Sequence, residues 1–185
     1  MTVTPISALP PRTFAEQRRK ITVLTAPPTE PLGALTVATL TAGMDAACRV
    51  AQEGTRFAAT ASETLNQPAV CEPSSASVPA RSNYEGSIAV FRYFDETNPG
   101  AADPTGDVLF QALKVKGTPV YVVESLTGKD WDEEWEAGDE YSVFAVTTDN
   151  WQRQADPHAG YIHVTIPLTV QDAELNGVVA GTAGA

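Results

Sequence analysis

Seven acids, Asp130, Asp132, Glu133, Glu134, Glu136, Asp139 and Glu140, stand in one eleven-position stretch that holds no base. Carboxylates at that density could ligate a hard cation or supply the acid pair of a glycoside hydrolase. A calcium loop requires glycine at the sixth position of an Asp-x-Asp-x-Asp-Gly pattern, and counting from Asp130 that position is Trp135. Glycoside hydrolysis needs one acid raised by an apolar pocket, whereas a dense group in a polar turn is solvated. His158 follows Asp156 in DPHAG and His163 lies in YIHV, a spacing compatible with a histidine–carboxylate dyad, but no Gly-x-Ser-x-Gly elbow supplies a nucleophile. Cys48 and Cys71 lack Cys-x-x-Cys spacing, and only the two histidines could join them around zinc, so both are read as buried free thiols. The glycines are scattered through turns and make no phosphate-binding loop. These residue types assign no catalytic residue, no metal and no cofactor. The acidic run reads as a solvated hairpin or an electrostatic face, with Trp131 and Trp135 packed beneath it.

The balance of charge limits the partners. Twenty-three acids against twelve bases give a net charge of −11, and a surface of that sign repels nucleic acid, whose binding requires cations to displace counterions. A DNA-binding role is excluded on this reading. The same repulsion suits a surface past which DNA travels without sticking. The 185 residues have room for one domain and an arm. No run approaches the ~18 apolar residues of a membrane span, and the N-terminus lacks a basic-then-apolar secretory pattern, so a soluble intracellular product is expected.

The elements that must position these groups are mostly strands. Residues 84 to 95, YEGSIAVFRYFD, place Tyr84, Ile88, Val90 and Phe94 on one face and Ala89, Phe91 and Tyr93 on the other, which predicts a sheet covered on both sides. One face would pack on a second sheet, and the other would need a helix or a neighbouring subunit. Further strands are expected over 32–40 (LGALTVATL), 56–65, 118–126, 140–148 and 161–170, joined in a largely antiparallel order. DVLFQALKVKG reads as one helix, capped by Thr105 or Asp107 and ended by Gly117.

Proline density marks residues 1–31 as an extended N-terminal arm, in which Thr13 and Glu16 at capping-box spacing, followed by Arg18, Arg19 and Lys20, predict one short helix. Residues 66–82, with Pro68, Pro73 and Pro79, read as an extended loop or a loose hairpin that serves contacts. The division expected is an arm over 1–31, a β-sandwich domain over 32–172 and a C-terminal tail over 173–185, unpacked from Gly177 on.

Taken in order, AATASETLNQPAVCE from Ala58, SNYEGSIAVFRYFDE from Ser82, DVLFQALKVKGTPVYVV, VTTDNWQRQ and GYIHVTIPLTVQD make the chain resemble the major tail, or tail tube, protein of long-tailed bacteriophages over residues 32–172. The resemblance implies a mainly β, antiparallel sandwich with one flanking α-helix, whose inner strands join in hexameric rings as a continuous barrel. It implies stacking of those rings into the virion tube that conducts the genome, and neighbours such as a tape measure and a tail terminator or baseplate protein. DNA would pass without specific binding, and no membrane partner is implied. On that basis Arg12, Phe14, Arg18 and Arg19 of the arm and Pro68, Val70 and Pro73 of the loop are candidate subunit contacts, and the acids between Asp130 and Glu140 are candidates for the lumen wall. The rival readings are a monomeric immunoglobulin-like decoration or binding module and a small β-sandwich hydrolase using His158 or His163.

Overall fold

The computed structural model describes residues 12–65, 78–156 and 159–181. In chain order the elements are β1 (Arg19–Leu24), α1 (Val37–Thr41), β2 (Met44–Asp45), β3 (Arg56–Thr60), β4 (Thr64–Leu65), β5 (Val78–Pro79), β6 (Asn83–Phe91), α2 (Val108–Leu113), β7 (Pro119–Leu126), β8 (Glu140–Thr148), β9 (Gln152–Arg153) and β10 (His163–Val178). The main sheet runs β2-β1-β7-β8-β10-β6-β3, with β9 on β10, and every pairing in it is antiparallel. A separate two-stranded ribbon pairs β4 with β5. This is the mainly β, antiparallel class that the alternation of apolar residues predicts.

The two layers of the expected sandwich come from one sheet that curls over itself. In a flat sheet at ~4.8 Å per strand, β8 and β3 would lie about 14 Å apart. Instead the rings of Phe57 on β3 and Phe144 on β8 are 5.5 Å apart between centroids. Arg19 on β1 likewise reaches across the opening, and its guanidinium donates to the carbonyl of Thr55, next to β3, at 3.3 and 3.4 Å. The chain from β2 to β3 closes this side, with Ala46 N–H bonded to Ile21 O and Ala51 N–H to Ala89 O.

Period-two alternation sorts each strand between two cores. The inner face carries Ile21 and Val23, Ile88 and Val90, Val120 and Val122, Phe144 and Val146, and Val164, Ile166 and Leu168, plugged at one end by Leu109, Phe110 and Leu113 of α2. The outer face of β1, β7 and β8 presents Leu24, Val123, Tyr141 and Val143 to Leu35, Leu40, Trp135 and Val179. Each such aliphatic side chain taken fully out of water contributes about 1.5–3 kcal/mol. The outer face is therefore covered by the chain's own segments. On β6 the second face is Ala89, whose amide donates to Thr55 Oγ1 at 2.9 Å beneath the turn around Gly54. The two-sided burial holds for Ile88, Ala89 and Val90, but the strand ends at Phe91 rather than residue 95, and Tyr93 and Phe94, expected on its two covered faces, are 36% and 38% exposed.

Four local expectations fail for tertiary reasons. The helix expected after Thr13 does not form: Gln17 takes φ 60, a turn joins Arg18 N–H to Ala15 O, and the residues beyond it pair with β7 as strand β1. Part of the segment read as an arm is thus inside the sheet. Residues 32–40 are not a strand but a 3-10 turn at Leu32–Ala34 followed by α1. Thr36 caps α1 by accepting the Thr39 amide, and both threonine hydroxyls donate to Glu30 Oε1 at 2.8 Å. Those hydroxyls, Thr39 first, hold the Glu30 carboxyl down to about 2. The tail read as unpacked extends β10 to Val178 and buries Val179, while Ala180 N–H bonds Leu35 O. Cys48, read as a buried thiol, is exposed, and Cys71 lies outside the described residues.

Candidate functional site: the two ends of the curled sheet

The acidic hairpin joins β7 to β8 at the end of the sheet where Arg19 pairs with Leu126 and Val178 with Glu140. Its frame is Trp135, buried against Tyr141 at 6.4 Å between ring centroids, with its indole N–H donating to Thr22 Oγ1 at 3.1 Å. Trp131 is only half-buried and is tied through its amide to Gln17 O. The tertiary structure brings bases to the run that the local sequence lacks. Arg18 pairs with Asp130 at 3.5 Å, and Lys129 pairs with Glu136 and Asp139, both at 2.9 Å. Lys20 adds its ammonium to the carbonyls of Trp131 and Glu133. Burial alone would lower the Lys129 ammonium, but the hydrogen bonds it donates to the Asp139 and Glu136 carboxylates outweigh it and hold the pKa above the ordinary lysine value. Asp132, Glu133, Glu134 and Glu140 remain exposed, with no ion-pair partner among the described residues.

The candidate contact residues separate. Arg12 and Phe14 are exposed, Phe14 at 84%. Arg18 and Arg19 are both engaged within the chain, Arg19 with Glu124 at 2.5 Å. Pro68, Val70 and Pro73 lie outside the described residues, as does His158. His163 sits on β10 with its Nδ1 3.0 Å from Tyr161 O and its ring edge-on to Phe91. Among the described residues no group of three or more His, Cys, Asp or Glu is placed to hold a metal ion, and no helix is long and apolar enough to cross a membrane.

Two features escaped the sequence reading. At the acidic end, the curled sheet is open: a groove of about 650 Å³ runs between Phe57 on β3 and Leu126, Ser142 and Val178 on the facing strands, with Glu140 at its rim. Leu126 is 61% exposed and Val178 46%. At the other end, plugged by α2, Arg92 bonds both carboxylate oxygens of Asp107, at 2.9 and 3.2 Å, and lies 3.8 Å from the Phe110 ring centroid. Beside it Tyr161 and Ile162 project into solvent, 81% and 57% exposed. The capping role expected of Asp107 is replaced by this ion pair, since its side chain makes no cap hydrogen bond. The only local signal for it was an acid ahead of an apolar helix, which reads as an N-cap unless the distant arginine is known.

Among the described residues these groups are held in ion pairs, hydrogen bonds and ring contacts. No curated protein matches the chain. Among solved structures, one match is a chain of the cryo-EM structure of the anti-feeding prophage (AFP) baseplate, 6-fold symmetrised, at 15% identity and a TM-score of 0.46, covering 96% of this chain and 98% of that one. A family model described as phage tail tube protein matches residues 7–183, including β1 and the end of β10, which the sequence reading had left outside the domain. The chain belongs to the phage tail tube protein family, structural proteins of the virion tail.

Proposed function

We propose that this chain is the repeating subunit of hexameric rings that stack into the phage tail tube and conduct the genome into the host. The observation that carries the reading is the family match over residues 7–183. A sheet border supports it: among the described residues β3 (Arg56–Thr60) ends the strand order and pairs with β6 on one side alone, leaving backbone groups that a sister copy can satisfy. The mechanism is passive. DNA carries about one charge per 1.7 Å of its axis, so a few favourable contacts per ring would arrest it over many rings, and fixed carboxylates prevent that adhesion. Asp132, Glu133 and Glu134, exposed and without a base, are the acids proposed for the lumen wall. A tape measure and a tail terminator or baseplate protein are the proposed neighbours.

Negative-stain microscopy of the purified chain at micromolar concentration tests this, with rings or tubes expected. A strictly monomeric species by light scattering at the same concentration overturns it. That outcome would favour the monomeric binding-module reading, for which the covered outer face is the supporting observation.

A further inference from the structure

Tyr161 and Ile162 are exposed apolar side chains whose flanking backbone is tied down. The Gln154 side-chain amide donates to Asp156 O at 2.7 Å and Ala159 O at 3.2 Å and accepts the His163 N–H at 2.9 Å. Arg92 N–H bonds Ile162 O at 2.9 Å, and the Tyr161 ring stands edge-on to Phe91 at 6.0 Å. Apolar side chains held out in one geometry lose little freedom on binding, which is the property of a contact anchor.

The open groove lies at the opposite end of the same strand. β10 starts beside this loop and runs sixteen residues to Val178 at the groove, up to about 50 Å of extended chain. The loop of one copy therefore cannot reach its own groove. It can reach that of a copy placed end to end. Charge favours this pairing: among the described residues Arg153, exposed and lining the same hollow as Ile162, has no ion-pair partner, and neither has Glu140 beside the groove. In a chain of net charge −11, two copies otherwise repel, so a contact between them needs such a local match. A contact joining different surfaces at the two ends is heterologous and propagates without closing, which makes a filament.

We infer that Tyr161 and Ile162 of one subunit seat in the open mouth formed by Phe57, Leu126 and Val178 of a subunit in the next ring, with Arg153 meeting Glu140 across the joint. This rests on the stacked-ring reading and names its axial contact.

The test compares wild type with Y161S/I162S, R153E, E140R and R153E/E140R, by melting temperature, negative-stain microscopy and sedimentation. The altered side chains are exposed, so all variants should melt as wild type does. Y161S/I162S should form rings yet need at least about tenfold more protein to form tubes. Each single charge reversal should also weaken stacking, and the double reversal should restore it. Tubes forming from Y161S/I162S at the wild-type concentration would overturn the docking while leaving stacked rings intact. Loss of rings as well, in a folded variant, would overturn it by placing the loop in the contact within a ring. Wild type that makes neither rings nor tubes would overturn both readings. Site-resolved thiol labelling of L126C and V178C addresses a groove filled by the same chain: labelling in the unassembled chain that is lost on tube formation supports the joint, and no labelling in the unassembled chain overturns it.

Discussion

The guanidinium of Arg92 grips both carboxylate oxygens of Asp107, a side chain with no exposed surface, fifteen residues away in sequence. The remaining capacity of that carboxylate is filled by the Tyr93 amide at 3.1 Å and the Gln111 side chain at 2.7 Å. This cluster ties the end of β6 to the start of α2, and α2 plugs the inner core. D107A would strand a mostly buried arginine, and R92L a buried carboxylate. Either should destabilise the fold by about 3–5 kcal/mol, the range for breaking one side of a buried pair. Chemical denaturation at neutral pH measures it.

The same group makes stability depend on acid. Burial by itself pushes the Asp107 carboxyl up, but hydrogen bonds from Arg92, Gln111 and Tyr93 outweigh it and leave the pKa below its ordinary 3.8. A depressed folded-state pKa contributes stability that is complete above the unfolded value and is lost as pH falls through the folded one. Melting temperature should thus fall below about pH 4, and D107N should show a smaller acid-induced drop than wild type. An identical drop in both would assign the acid sensitivity elsewhere.

Phe57 and Phe144 mark where the sheet closes on itself. F57A should cost about 2 kcal/mol, less than a fully buried phenylalanine because Phe57 is only half-buried. A double-mutant cycle with F144A should return a coupling of about 0.5–1.5 kcal/mol. Additive losses would mean the two rings do not support each other.

Tyr141 pins the segment ahead of α1 to β8. Its hydroxyl donates to Leu32 O at 2.6 Å and accepts the buried Leu35 N–H at 2.8 Å. Burial raises its pKa above the ordinary tyrosine value. Its ring lies where a Cβ on Gly177 would be, so any larger residue there must displace it. Y141F should cost about 1–3 kcal/mol for the unsatisfied amide, and G177A about 1–3 kcal/mol for overpacking. Denaturant midpoints measure both.

Replacing Asp132, Glu133 and Glu134 by lysine should leave rings and tubes unchanged in micrographs, because the three are exposed and unpaired. Genome release from phage carrying the substitution should slow, and added salt should relieve the delay through screening. Wild-type release kinetics and infectivity would count against a lumen position for these acids.

Most of the strands, the antiparallel order and α2 were legible in the residues alone, because alternation and helix punctuation are local properties of the backbone. The family resemblance was legible for the same reason, being carried by the order of such segments. What the residues alone misplaced shares one cause. Arg18, Arg19 and Lys20 read as a helix end until β7 and the acidic hairpin supply Glu124, Asp130 and the carbonyls of Trp131 and Glu133. LGALTVATL reads as a strand until Tyr141 and Glu30 take up the groups that make a turn and helix there. The tail reads as loose until Val179 finds the outer core. Apart from the nearby Glu30, the deciding partners lie roughly a hundred residues away, as Glu124 does from Arg19 and Tyr141 from Leu35. Local preferences of a few tenths of a kcal/mol per residue yield to such contacts once the sheet curls.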